Sequence, residues 1–378
     1  MKQSRPPGPR LLPGHARTGG RNVIFAWEQC KLGDVADITT GSRNHQDSVT
    51  DGKYPFFVRS DKVERLNEYD FDTRAILVPG DGRIGEIFHY YNGKFALHQR
   101  VYKVDNFNGI NALFLLGQFK YSFKKHSLRL NAQGTVPSLR LPMFTNWNIS
   151  IPNITEQERI GSFFRKLDRT ITLHEEKKRQ LERLKSALMQ KMFANKNGYP
   201  AVRFEGFSNE WEHCKLGDVA DITTGSRNHQ DSVTDGKYPF FVRSDKVERL
   251  NEYDFDTKAI LVPGDGRIGE IFHYYNGKFA LHQRVYKVDN FNGINELFLL
   301  GLFKYSFKEH ALRLNAQGTV PSLRLPMFTN WSISVPMITE QERIGVFFQK
   351  LERTISLYDH KLELLKKVKR SMLQAMFI

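Results

Sequence analysis

Trp27-Glu-Gln-Cys-Lys-Leu-Gly-Asp-Val35 returns, one residue changed, as Trp211-Glu-His-Cys-Lys-Leu-Gly-Asp-Val219. The same offset of 184 carries on from each tryptophan to Ile160 and Ile344, and only about nine positions differ over that span. Among them are Gln29/His213, Arg74/Lys258, Ala112/Glu296, Lys125/Glu309 and Asn148/Ser332. A repeat this long is no solenoid unit; it is one globular domain written twice. Two copies of a surface in one molecule suit a target that also presents something twice.

Composition narrows the target. The chain has 378 residues, of which 40% are apolar, enough for about two ordinary domains with real cores. No stretch approaches the roughly 18 continuous apolar residues of a membrane span, so no membrane partner is expected. The two cysteines, Cys30 and Cys214, are repeat equivalents. They read as reduced thiols rather than a disulfide or a metal pair, which fits a reducing cytoplasm.

The net charge of +15 is unevenly placed. The repeated domains are near neutral, and the excess lies in the first 26 residues and in the segment after each repeat. Within the first copy, however, no acid occurs between Asp105 and Glu156, while Lys120, Lys124, Lys125, Arg129 and Arg140 do, interleaved with Phe119, Tyr121 and Phe123. That is the footprint of a polyanion-binding face, against the plainer reading of a solvated helix. Residues 1–22, rich in Arg, Pro and Gly and free of acid, read as a disordered leader. Nothing resembling Gly198-Tyr-Pro-Ala-Val-Arg-Phe-Glu-Gly-Phe-Ser-Asn-Glu210, which leads into Trp211, precedes Trp27.

Inside a copy the pattern is first strand and turn, then helix. Tyr54 to Arg59 and Ala75 to Val78 read as strands, and Asn92-Gly93 reads as the two-residue turn of a hairpin. From Asn111 to Lys125 the apolar spacing is helical, and two further short strands are expected after a loop at Asn131–Pro137. Gly80, Gly82 and Gly85 spell a dinucleotide-binding pattern. A strand pattern follows where that site needs a helix, so the glycines are expected to form a tight connection presenting Arg83. After each copy the texture changes. Thr155 with Glu158, and Thr339 with Glu342, read as capping boxes. From Ile160 to Met192 and from Ile344 to Met376, apolar residues step by four and three as heptad seams. Each helix is expected to extend about 60 Å.

The expectation is an α+β protein. Two near-identical globular domains are joined by two long helices forming an antiparallel coiled coil with approximate two-fold symmetry. The boundaries are 23–154 and 196–338 for the domains, the second including its lead-in, and 155–195 and 339–378 for the helices.

Base reading needs bidentate donors and acceptors on protruding loops, with cations nearby for phosphates. Ser42, Arg43, Asn44, His45 and Gln46 form the first candidate loop, repeated at Ser226, Arg227, Asn228, His229 and Gln230. Arg59, Ser60, Lys62 and Arg83 follow, with Arg243, Ser244, Lys246 and Arg267 in the second copy. Asn131, Gln133 and Thr135, with Asn315, Gln317 and Thr319, form a third loop. Lys120, Lys124 and Arg129, with Lys304, Lys308 and Arg313, are the phosphate candidates. Because Lys125 becomes Glu309, the second copy is expected to grip phosphate less well.

The boundary Pro152-x-x-x-Glu156-Gln157-x-x-Ile160, repeated at Pro336, Glu340, Gln341 and Ile344, resembles the specificity subunit of type I restriction–modification systems. So do the two Trp-Glu-x-x-Lys-Leu-Gly-Asp-Val openings, the Thr40-Gly41-Ser loop and the Gly82-Arg-Ile-Gly85 turn. The resemblance covers residues 23–378. It implies a DNA-recognition subunit that is not an enzyme and carries no cofactor or metal. Each domain would read half of a split double-stranded target. The coil would set the gap, dock two DNA adenine methyltransferase subunits and admit ATP-dependent restriction/translocase subunits. Near-identity of the two readers departs from the usual member and implies an interrupted palindrome with half-sites about one turn apart. A stand-alone tandem nucleic-acid binder, and an enzyme using His45 and His98 with Asp61 and Asp81, are the alternatives.

Overall fold

The computed structural model describes residues 27–131, 137–194, 198–315 and 321–377. They form two compact units. The first runs to Arg169 and takes in Lys367 onward; the second comprises Thr170–Lys366.

In the first unit, β1 (Glu28–Lys31), α1 (Leu32–Val35), β2 (Asp37–Thr40), β3 (Tyr54–Phe57), β4 (Val63–Leu66), β5 (Phe71–Pro79), β6 (His89–Leu97) and β7 (Val101–Asp105) are followed by α2 (Ala112–Gln118). A π-helical turn at Phe119–Phe123 leads into α3 (Lys124–Arg129), and α4 (Leu141–Thr145), β8 (Asn148–Ile151) and α5 (Ile154–Met192) follow. A six-stranded mixed sheet has the order β2-β7-β5-β6-β3-β4, and β1 pairs with β8 alongside it. Side-chain alternation along β5 divides the core. Ile76 and Val78 join the helix-side cluster with Phe114, Phe119, Phe123, Phe144 and Trp147, whereas Ala75 and Leu77 pack on the other face with Phe57, Phe95 and Leu97. Each of these buried phenylalanines contributes roughly 1.5–3 kcal/mol.

The second unit repeats this through β9 (Glu212–Lys215), α6 (Leu216–Val219), β10 (Asp221–Thr224), β11 (Tyr238–Phe241), β12 (Val247–Leu250), β13 (Phe255–Pro263), β14 (His273–Leu281) and β15 (Val285–Asp289). Next come α7 (Glu296–Leu302), α8 (Lys308–Leu314), α9 (Leu325–Thr329), β16 (Ser332–Val335) and α10 (Ile338–Met376). Both α5 and α10 have 39 residues. Within the second unit they run antiparallel, because partner numbers rise along one helix as they fall along the other. Glu175 meets Lys366 (2.6 Å), Lys178 meets Asp359 (2.5 Å) and Lys185 meets Glu352 (2.6 Å). Lys178 and Lys185, polar residues on the seam, thus set the register through their partners on the opposite helix.

Several expectations change. Asn92-Gly93 is no hairpin turn but the middle of β6, facing Arg74 and Thr73 of β5, with Gly93 at φ +131°. A glycine in that mirror-image extended region lets the strand continue without turning. The segment after Pro137 supplies a helix, α4, and one strand rather than two strands. Neither long helix starts on a capping box. In the first, the side chain of Asn153 accepts from Glu156 N (3.0 Å) and the helix begins at Ile154, so Thr155 lies inside it. In the second, Met337 has no capping side chain and its carbonyl accepts from Glu340 N and Gln341 N. At the far end of the seam Leu373 is buried and Met372 exposed, one residue out of the expected phase.

Sequence-distant contacts lock the helices onto the sheets. Gln157 is buried; its Oε1 accepts from Asn111 N (2.8 Å) and its Nε2 donates to Pro152 O (2.8 Å). Asn111 in turn caps α2, accepting from Leu113 N and Phe114 N. Phe377 stacks on Phe164 and Tyr121 of its own unit and lies over Gly117, where an added Cβ would stand 2.7 Å from its ring. In the second unit Phe193 occupies the equivalent seat over Gly301, stacked on Phe348 and Tyr305.

Candidate nucleic-acid interface

Backbone hydrogen bonds pull the polar loops of each copy together. Arg43 N donates to Leu97 O and Gln99 N to Arg43 O, while His98 N donates to Phe57 O. Gly80 N donates to Arg100 O, and Leu139 N to Gly80 O. Loops 41–46, 57–62, 80–86, 98–100 and 138–140 therefore converge around buried His98. Burial and the nearby Arg59 guanidinium hold that imidazole below its ordinary range, so it is a neutral bracing group; its Nδ1 accepts from Arg100 N (2.9 Å). Gly85, at φ +67°, leaves room for Lys124, whose Cα would stand 2.6 Å from any Cβ there. The glycine pattern thus serves close packing of α3 on a turn, with no helix beginning in the loop.

The arginines of the cluster differ in freedom. Arg43 is held through Nε to Asp70 and through Nη2 to Glu68, both at 2.9 Å, and Arg227 is held likewise by Asp254 and Glu252. Arg59 reaches Asp81, and Arg83 reaches Asp61, only through exposed pairs at 3.3 Å. Arg243–Asp265 and Arg267–Asp245 repeat them at 3.3 and 3.5 Å. Exposed pairs of this kind contribute little and exchange partners readily. Ser42, Asn44, His45, Gln46 and Lys62 are exposed, and Ser60 is half-buried. Asn44 accepts from Gln99 Nε2 (2.6 Å), and His45 Nδ1 stands 3.0 Å from Glu64. Ser226, Asn228, His229, Gln230, Ser244 and Lys246 match these exposures at the same offset.

Asn131 ties the edge of the third loop, accepting from Ser138 N (3.0 Å), as Asn315 does from Ser322 N (2.9 Å). Gln133, Thr135, Gln317, Thr319 and the leader 1–22 lie outside the described residues. Lys124 and Arg129 are exposed on α3, Lys124 pairing with Glu86 at 2.5 Å; Lys308 pairs with Glu270, and Arg313 is exposed.

Lys120 and Lys304 stand apart from this cluster. Lys120 Nζ lies 2.6 Å from Asp168, which also receives Lys369 at 2.6 Å; Lys304 and Lys185 share Glu352 in the same way. Burial pulls the Lys120 and Lys304 ammoniums down despite their carboxylate partners. The same lysines hold Asp168 and Glu352 below the usual carboxylate range against burial. These are bolts between the domain and its helices rather than exposed cations, and their placement does not fit the phosphate role expected for them.

Sequence reading passed over Gln99 and Arg100, both exposed beside Asn44, and over Gln283 and Arg284. The signal was present: a polar His98-Gln-Arg step between two apolar strands. It also stopped the seams short of Phe193 and Phe377.

A polar and cationic loop cluster, braced from behind and present twice, defines a class: a tandem nucleic-acid recognition protein. Residues 26–183 and 208–367 each match the type I restriction modification DNA specificity domain, so the chain belongs to that family. It is 26% identical over 376 residues to the specificity subunit of the type I restriction enzyme EcoDI of Escherichia coli, across 84% of this chain and 79% of that one. It is 23% identical over 398 residues to the MjaVIII specificity subunit of Methanocaldococcus jannaschii, across 94% and 92%. The crystal structure of the type I system S subunit from M. genitalium shares its fold, with a TM-score of 0.72, 16% identity and coverage of 96% and 98%. The chain is a non-catalytic specificity subunit with two tandem target recognition domains. The stand-alone binder and the two-site enzyme give way to that reading. Among the described residues no helix is long and apolar enough to cross a membrane.

Proposed function

We propose that the two loop clusters read equal half-sites of an interrupted palindrome in double-stranded DNA, in the cytoplasm. The observation that carries this is the identity of the clusters: residues 42–46, 59–62, 80–86 and 98–100 recur unchanged at 226–230, 243–246, 264–270 and 282–284. In this reading Arg59, Arg83, Asn44, Gln46, Gln99 and Arg100 address base edges, and Lys124 and Arg129 address phosphates. Arg43 and Arg227 set the shape of their loops rather than touching bases, because their guanidinium groups are already engaged. Asn131, Gln133 and Thr135 supply a further reading loop in this reading.

The paired helices, with exposed charged residues outside the seam, set the unread gap and dock two DNA adenine methyltransferase subunits. ATP-dependent restriction/translocase subunits join the same assembly. The test is to express the chain with its methyltransferase partner and map methylated adenines across the host genome. Equal inverted arms are expected; unlike arms would overturn the proposal.

A further inference from the structure

One surface is built identically in both copies yet differs in its cover. In the second unit it comprises Trp211, Glu340, Arg343 and Phe347, and the lead-in segment lies across it. Arg203 forms a bidentate pair with Glu340, Nε to Oε1 and Nη2 to Oε2, both at 2.7 Å. Phe204 meets Phe347 edge-on with centroids 6.0 Å apart, and Phe207 receives the Arg343 guanidinium at 5.1 Å. Val202 N donates to Lys191 O and Trp211 N to Gly198 O, fixing the strap at both ends. Under it Glu340 is 0% and Trp211 1% exposed.

The equivalents in the first unit are Trp27, Glu156, Arg159 and Phe163, unchanged in residue type. There, no described residue plays the part of Arg203, Phe204 or Phe207. Glu156 is half-buried, and the Trp27 indole donates to its Oε1 at 3.3 Å. Trp27 is half-buried, Arg159 exposed and Phe163 39% exposed. Glu156 beside the Trp27 indole, with Arg159 and Phe163 three and seven residues further along the same helix, is the complement of an arginine followed by two phenylalanines. The second unit displays the bound form of that complement.

We infer that the first unit carries an accessible docking site for an extended peptide segment in which an arginine is followed directly by one phenylalanine and, three residues later, by a second. The occupant is an arm of Val-Arg-Phe-x-x-Phe chemistry, with its arginine on Glu156 and its phenylalanines on Phe163 and Arg159. The site lies at the root of α5 and is independent of the DNA-reading loops.

The molecule carries its own reporter. Of its four tryptophans, Trp147, Trp211 and Trp331 are at most 4% exposed, so a change in tryptophan emission on docking reports on Trp27. The full chain is titrated with a synthetic peptide of the sequence Gly198–Glu210, which contains no tryptophan. Saturable binding at one site per chain by calorimetry and a blue shift of the emission are expected. Glu156→Gln in the chain, or alanine for the arginine of the peptide, weakens binding at least tenfold. Glu156 is half-buried and tolerates the amide, and an unchanged cooperative melt verifies folding. Phe163→Ser gives a second, independent loss. Absence of binding at millimolar peptide overturns the inference. So does binding indifferent to Glu156→Gln, or an emission already that of a fully buried indole before peptide is added.

Discussion

Trp27 and Trp211 open the same sequence and end in different surroundings. The second is sealed beneath a strap that also neutralises a fully buried carboxylate, and the first keeps part of its indole in solvent. The lesson is that a side chain's energetic role is set by what covers it, even when nineteen of the twenty residues that follow it agree. The aromatic seat over Gly117 and Gly301 teaches the converse. Phe377 and Phe193 come from the far ends of different helices, yet they fill equal positions on equal domains.

That second equality gives the largest expected effect. Phe377→Ala and Phe193→Ala should each cost about 3–5 kcal/mol, read by urea unfolding followed with probes in each unit. A marked inequality would break the equivalence of the seats. Next, Arg203→Ala should cost about 3 kcal/mol by stranding Glu340 as a buried, unpaired charge. Glu156→Ala should cost under about 1 kcal/mol, since its partner is a single half-exposed indole. Similar losses in both would erase the distinction between the two tryptophan sites.

The reading loops sharpen the comparison from the other side, because there the copies should behave alike. Arg59→Ala and Arg243→Ala should each relax one arm of the target by about 1–3 kcal/mol of base discrimination, at mirror-related positions. Competition between intact and arm-scrambled duplexes measures this, and losses at unrelated positions would contradict equal half-sites. Phosphate contacts should differ between copies. Lys124→Ala should lower the slope of log K against log salt by about 1, and Glu309→Lys should raise it by about 1 by restoring the Lys125 counterpart.

The smallest effect concerns Glu296, which stands where the first copy has Ala112. Burial, and then Glu296 at 3.3 Å, push the Tyr274 hydroxyl up to about 12. A tyrosine raised in the folded state favours folding while it stays protonated. That contribution is complete below the unfolded value near 10 and is lost as pH climbs through about 12. Glu296→Ala should bring the phenolate absorbance titration of Tyr274 to lower pH. No movement would remove Glu296 as a cause.

Much of the architecture was legible because it is local or duplicated. The heptad steps located both helices and Lys178 and Lys185 on their seam, and apolar runs located β3 and β5. The misreadings have common physics. Asn92-Gly93 carries hairpin chemistry, but the nine-residue β5 beside it demands a continuous partner and the glycine permits one. Lys120 lies in a basic, aromatic stretch that suggested phosphate, yet the acid that claims it sits 48 residues away on α5. Arg43 was read as a base-reading candidate, and the partners that hold it, Glu68 and Asp70, are 25 and 27 residues distant and gave no local sign.

By itself the sequence determined that one domain occurs twice, that a long seamed helix follows each copy, and which motifs tie the chain to its family. Such information lives in periodicity and identity along the chain. Tertiary structure alone decided which cations are held by half-buried partners and which only by exposed ones, how five loops meet around His98, and which ring fills each glycine seat. Those outcomes depend on contacts between residues far apart in sequence, whose partners are chosen by burial and packing and leave no local pattern to read.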